Sequence, residues 1–104
     1  MTPTVTDVPE RGRFEIAVDG VAAGFAEYRR RPGVILFLHT EIDPAHEGAG
    51  LGTALVRAAL ESARAQGLAV LPVCPFVRSF VGRHREYLDL VPVERRAQFG
   101  LNGD

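Results

Sequence analysis

The chain of 104 residues contains no lysine, and all 12 of its basic residues are arginine. That absence removes a lysine side chain as an acyl acceptor, and it removes the lysine a Walker-type loop needs to reach outer phosphates. Codon bias in a GC-rich genome is the simplest source of such a composition. Cysteine is nearly as scarce: the single Cys74 excludes a disulfide framework within the chain and any all-cysteine metal site. Three histidines without a shared spacing make no metal site either. A net charge of −1 provides no field for nucleic acid or anionic membrane, and Arg29-Arg30-Arg31 is too short a basic patch to argue for one. No apolar run approaches the roughly 18 residues of a membrane span. Residues Met1 to Asp7 have neither the basic region nor the apolar core of a signal peptide. The expectation is a cytoplasmic protein that engages neither nucleic acid nor membrane, as a monomer or weak homo-oligomer.

What is present begins with period-2 patterning. Residues 1–12 hold two prolines, a glycine and few large apolar groups, and read as a flexible leader. From Arg13, apolar Phe14, Ile16 and Val18 alternate with Glu15 and Asp19, and Asp19-Gly20 suits a tight hairpin turn. A second strand is predicted over Val21 to Tyr28, followed by a turn at Arg31-Pro32-Gly33. The run from Val34 to Thr40 is nearly continuous apolar, the pattern of a strand covered on both faces. Beyond Asp43-Pro44 the period changes: Leu51, Leu55, Ala58, Ser62 and Ala65 recur at helical spacing, with Gln66-Gly67 as the stop. Leu68 to Leu71 is a short strand, and Phe76 to Tyr87 a helix or two short ones with Gly82 as a break. Residues 92–104 read as a fraying tail. Strand, helix, strand implies a parallel pair with a right-handed crossover. The fold class is α/β: an antiparallel meander plus one parallel βαβ unit, in one domain over 13–91.

Gly48-x-Gly50-x-Gly52 lies between a buried strand and a helix start. Glycines let consecutive N–H groups converge, and the helix start adds about half a positive charge, so the loop is an anion cradle suited to a diphosphate. A turn that needs glycines only for its backbone angles is the alternative. Without lysine there is no Walker A loop. A dinucleotide fingerprint has G-x-G-x-x-G spacing after the first strand of a parallel unit, and here the spacing is G-x-G-x-G after a meander. Coenzyme A is the diphosphate that remains.

The segment His39 to Ala65 resembles the central motif of the GCN5-related N-acetyltransferases, Gln/Arg-x-x-Gly-x-Gly/Ala at a helix start. Glu47 takes the Gln/Arg position, Gly50 the first glycine and Gly52 the Gly/Ala position. Together with Pro72 to Val77 and His84-Arg85-Glu86-Tyr87, the pattern is similar to the small YjdJ-type branch of that family, over roughly Phe14 to Val91. The resemblance implies a sheet whose parallel strands splay, with the pantetheine arm of acetyl-CoA paired near Thr40 and Ile42. Its phosphates would rest on Glu47, Gly48, Ala49, Gly50, Leu51, Gly52 and Thr53. Two departures stand out. Glu47 puts a carboxylate where the family has a neutral or basic residue, so its side chain is expected to point away from phosphate. The usual N-terminal helices, which often wall the acceptor site, are missing.

Amine acetylation needs an unprotonated amine, an outlet for its proton and help for the leaving thiolate. His39 and Glu41, two apart on one strand, share a face, and either is a candidate base. The alternatives are a hydrogen-bonded core histidine and a solvated or capping carboxylate. Cys74, between two prolines after the second parallel strand, is a candidate acyl-carrying nucleophile or proton donor to the thiolate, or else an inert buried thiol. His46 adjoins the loop as a phosphate contact or a solvated residue. Arg78, Arg83 and Arg85 stand as phosphate contacts or an exposed helix face. Three functions follow: an acetyl-CoA-dependent N-acetyltransferase acting on an amine of a small molecule or peptide, a non-catalytic acyl-CoA-binding or interaction module, or a subunit whose partner completes the acceptor site.

Overall fold

Alternation of apolar and polar side chains sets the first strands. In the computed structural model, which describes residues 2–101, β1 (Pro3–Val8), β2 (Arg13–Val18), β3 (Val21–Arg31) and β4 (Val34–Ile42) form an antiparallel meander. The short β5 (Ala69–Pro72) joins parallel to β4, and the strands lie in sequence order across the sheet. Phe14, Ile16 and Val18 face the core while Arg13, Glu15 and Ala17 face out. Asp19 and Gly20, at φ 51° and 83°, make the hairpin turn, which requires two successive positive angles. The mixed α/β sheet expected from the sequence is the one observed. No helix longer than a 3-10 turn precedes β4 among the described residues.

Two stretches expected to be loose are ordered instead. Residues 3–8 form β1, paired along its length with β2, and a 3-10 turn at Pro9–Arg11 follows. An edge strand needs only one row of apolar contacts, here through the half-buried Val5, and its backbone pairing supplies the rest. In the C-terminal stretch two 3-10 turns, Val93–Arg95 and Ala97–Phe99, bring Phe99 and Leu101 into the core cluster, with Leu101 packed where Gly82 leaves α2 without a side chain. The remainder of that stretch, 102–104, lies outside the described residues.

α1 (Leu51–Ala65) crosses back over the meander, and its bounds are those the periodicity predicts. Its buried stripe is displaced from the expected one, however: Leu51, Leu55, Val56, Ala59, Leu60 and Ala63 are buried, whereas Ala58 and Ser62 are partly exposed and Ala65 is exposed. Val56 and Leu60 are the larger side chains, each worth about 1.5–3 kcal/mol when fully buried, and they take the inward positions. α2 (Pro75–Arg83) starts on Pro75 and runs through Gly82 without a break; a 3-10 segment, Arg85–Leu90, continues from it. β4 also departs from expectation, because only Ile35 and Phe37 are buried while the outward Val34, Leu36 and Leu38 are half-covered.

β1 is held by a polar clasp. The Tyr28 hydroxyl donates to Asp7 Oδ1 at 2.5 Å, and Arg30 donates to Asp7 Oδ2 at 2.8 Å and to the Tyr28 oxygen at 2.9 Å. Burial, then the neighbouring Asp7 carboxylate, pushes the Tyr28 hydroxyl up to about 12. The folded state therefore retains a proton that the unfolded chain loses near its ordinary value of about 10. Stability from this group is complete below about pH 10 and is lost as pH rises toward 12, by on the order of 2–3 kcal/mol. Denaturant titrations between pH 9 and 12 are expected to show that decline in the parent protein and not in Tyr28→Phe.

Candidate active site

β4 outruns its parallel neighbour. Pairing with β5 covers only Val34 to Phe37, because β5 stops at Pro72 and the chain turns into α2, its last tie to β4 being the Cys74 amide donating to the Phe37 carbonyl at 2.7 Å. From Leu38 to Ile42 the β4 edge away from β3 has no strand partner among the described residues. Leu38 is itself an extra residue: Glu27 pairs with His39 and Tyr28 with Phe37. A bulge of this kind shifts the facing of everything after it. Without it, His39 and Glu41 would continue the inward row of Ile35 and Phe37. With it, Thr40 and Ile42 turn inward while His39 and Glu41 are exposed.

After β4 the chain is pinned by the Asp43 amide on the Ala23 carbonyl at 2.7 Å, and the Asp43 side chain accepts from the Ala45 amide at 2.9 Å to start a 3-10 turn, Pro44–His46. Gly48 and Gly50 follow at φ 86° and 77°, with open space where a side chain would stand, so these glycines serve backbone angle and access. The first intrahelical bond of α1 runs from the Ala54 amide to the Gly50 carbonyl at 3.1 Å. The amides of Leu51, Gly52 and Thr53 thus precede the helix ladder, no side chain caps them, and the first turn holds no acidic residue. These donors border an open cleft, bounded by Thr40 and Ile42 on the sheet side and by Gly48 and Gly50 on the loop side. A diphosphate fits such a wall, since no side chain caps the donors and the helix's first turn holds no acidic residue.

Cys74 is the N-cap of α2 and is buried, with its Sγ 3.4 Å from Thr40 Oγ1. His39 Nε2 and Glu41 Oε2 are 2.8 Å apart, both side chains more than half exposed, so His39 is no core histidine. Two pairs therefore form, Thr40 with Cys74 and His39 with Glu41, on opposite faces of one strand end. No hydrogen bond joins them among the described residues.

Other sequence candidates separate. His46 and Glu47 line the cleft; Ala49 does not, its amide donating to the His46 carbonyl at 3.4 Å. Arg78 closes the β5–α2 turn by donating to the Val73 carbonyl at 2.8 Å, and Arg83 donates to Ser79 Oγ at 2.9 Å within its own helix. In the His84-to-Tyr87 segment, His84 stacks on Phe80 at 4.0 Å, and the Tyr87 hydroxyl donates to Glu61 at 2.6 Å. One lining residue, Phe76, has no signal of its own in the sequence. A Cβ on Gly52 would stand 2.6 Å from its ring, so Gly52 is a packing glycine that lets this aromatic wall lie on α1. A glycine inside the first turn of an otherwise apolar helix is the trace such a contact leaves.

A family model described as GCN5-related N-acetyl-transferase matches residues 13–90, about three-quarters of the chain. The chain belongs to this family. A comparison with curated proteins finds no significant relative. Membership in an acetyltransferase family implies acetyl-CoA as the acyl donor and enzymatic activity in general. No helix is long and apolar enough to cross a membrane among the described residues. The family match starts at β2, so β1 and the two C-terminal turns lie outside it.

Proposed function

We propose that this family member transfers acetyl from acetyl-CoA to a primary amine of a small molecule or peptide. The observation that carries the reading is the bulge at Leu38, which sets a thiol pair and a proton-accepting pair on the two faces of one strand end, beside a cleft with free helix-start amides. The diphosphate binds the amides of Leu51 to Thr53, and the pantetheine amides pair with the open edge of β4 between Leu38 and Ile42. The thioester then lies between Thr40–Cys74 and His39–Glu41.

The step balances without any redox partner. The acceptor, bound as a free amine, attacks the thioester carbonyl; the C–N bond forms, and the carbonyl pair moves to oxygen. Glu41 takes the proton that the nitrogen sheds as it becomes cationic, and His39, 2.8 Å away and exposed, passes it to solvent. On collapse the C–S bond breaks, Cys74 protonates the departing thiolate while Thr40 hydrogen-bonds the Cys74 sulfur, and Cys74 takes a proton back from solvent once the free CoA has left. Among the described residues the side-chain partner of Cys74 is Thr40 Oγ1, with no base beside the thiol to activate it as a nucleophile, and this supports the proton-donor role over that of an acyl carrier.

Mixing the protein with acetyl-CoA and a broad amine panel, followed by mass spectrometry of protein and small molecules, tests the reading. Acetylated amine, stoichiometric free CoA and no adduct on Cys74 is the expected outcome. An acetyl group retained on Cys74 and chased by amine would replace the direct route with a covalent one. Binding of acetyl-CoA with no transfer to any amine would leave an acyl-CoA-binding module.

Glu47 gives a second test. Glu47 lines the cleft, so it places a like charge beside a bound diphosphate, a repulsion of about 1 kcal/mol at an intermediate dielectric. Calorimetry with acetyl-CoA is expected to show Glu47→Gln binding about three- to fivefold tighter than the parent, with the gain shrinking as salt is added.

A further inference from the structure

A second open cleft adjoins the first, and the end of β4 separates them: Ile42 borders both, Thr40 faces the first and Glu41 the second. The floor of this second cleft is set by strand register. Glu15 of β2 pairs with Phe25 of β3, which pairs with Glu41 of β4, so the three side chains form one row across the outward face. The next row is Arg13, Glu27 and His39. Phe25 is consequently surrounded: the Arg13 guanidinium lies 4.4 Å above its ring, and His39 meets it edge-on at 6.1 Å.

The two walls carry opposite charge. On the β2 side two guanidiniums share one carboxylate oxygen, Arg13 Nε donating to Glu15 Oε2 at 2.8 Å and Arg11 Nη1 at 3.1 Å. That leaves one positive charge uncompensated, with the terminal nitrogens of Arg13 making no hydrogen bond to a protein group among the described residues. Glu27, in the next row, makes no ion pair with Arg13 and does not line the cleft. On the β4 side stand Glu41, bonded to the His39 ring, and Asp43, whose Oδ1 accepts only the Ala45 amide. Adjacent strands are about 4.8 Å apart, so the charged walls rise from backbones roughly 10 Å apart across an aromatic floor.

We infer that this cleft is the acceptor site and that it selects a small amino acid-type acceptor, one molecule carrying a primary amine and a carboxylate on either side of a short apolar or aromatic segment. The inference rests on the transferase reading above. The amine meets Glu41 and Asp43 at the thioester end, the segment lies against the side of Phe25 that Arg13 leaves uncovered, next to Ala23 and Gly24, and the carboxylate takes the free guanidinium nitrogens of Arg13 and Arg11. A planar fork of donors suits a carboxylate in this way. Simple monoamines lack the second anchor, and diamines meet the arginine wall with a like charge.

The probes are 4-(aminomethyl)benzoate and benzylamine, which share the amine and the ring and differ in the carboxylate. Their ratio of kcat/KM is measured with acetyl-CoA at saturation, so that changes common to both substrates cancel. The parent protein is expected to prefer the carboxylate-bearing amine about tenfold or more, the scale of one charge-assisted hydrogen-bonded anchor. Arg13→Gln with Arg11→Gln is expected to abolish the preference. Glu15→Gln, which frees both guanidiniums, is expected to raise it severalfold, a gain that damage to folding does not produce. With acetyl-CoA bound, amide resonances of Ala22 to Phe25 are expected to shift with 4-(aminomethyl)benzoate. Equal use of both amines by parent and variants, with acetyl transfer proceeding, overturns this inference and leaves the transferase reading intact. No transfer to either probe nor to any other amine, with acetyl-CoA still bound, overturns the transferase reading and this inference with it.

Discussion

Glu41→Gln is expected to lower kcat about 100-fold while leaving the affinity for acetyl-CoA unchanged. The substitution keeps size and a hydrogen-bonding group beside His39 Nε2 but removes the charge that receives the amine's proton. General bases contribute about 10²- to 10⁴-fold, and the low end applies here because Glu41 is exposed, so water replaces part of its function. Glu41 is also far from the α1 amides in role: it turns outward, whereas the helix-start donors border the other cleft. Rates with saturating acetyl-CoA, set beside calorimetric affinities, separate the two contributions. A loss in affinity with kcat preserved would assign Glu41 to binding. His39→Gln is expected to give a smaller loss, since it removes only the onward step to solvent.

Gly50→Glu is expected to raise the dissociation constant of acetyl-CoA about 100-fold. Gly50 sits at φ 77°, where a side chain costs about 1–2 kcal/mol, and its Cβ would project into open space at the cleft rather than into protein. A carboxylate there also adds repulsion of about 1–2 kcal/mol against a diphosphate. Where the free loop relaxes to relieve the strain and binding must restore it, the two span about 2–4 kcal/mol, around the roughly 2.7 kcal/mol of a hundredfold change. Gly33→Glu is the matched control. Gly33 has nearly the same φ, 76°, and equally open surroundings, but it lies in the β3–β4 turn. It carries the backbone strain without the electrostatic term, so its thermal stability is expected to fall while its affinity stays at the parental value.

Legibility of the fold in the sequence followed the strength of local signals. α1 was readable to the residue because Gly50 and Gly67 punctuate a regular helical period. β1 is not, since an edge strand whose valine on the core is Val5 alone owes its order to pairing with β2 and to the Asp7–Tyr28–Arg30 clasp, contacts to residues distant in sequence. The C-terminal turns are hidden for the same reason: Phe99 and Leu101 look like isolated apolar residues until α2 is in place to receive them. In the site, the glycine loop and the His39–Glu41 pairing were accessible from spacing alone. The bulges were not. An extra residue at Leu38, and another at Ala23 in β3, decide which face each later side chain takes, and a period-2 pattern carries no mark of them. For this reason the Thr40–Cys74 contact and the Glu15–Phe25–Glu41 row emerge only with the register.

Titration of the protein with acetyl-CoA, followed through backbone amide resonances, tests the placement of the donor most directly. Saturable shifts concentrated at Gly48, Gly50 to Thr53 and Leu38 to Ile42 are the expected result, with the β1–β2 hairpin unperturbed. Shifts confined to other surfaces, or no saturable binding at millimolar acetyl-CoA, would contradict the assignment of the glycine loop and the open β4 edge as the donor site.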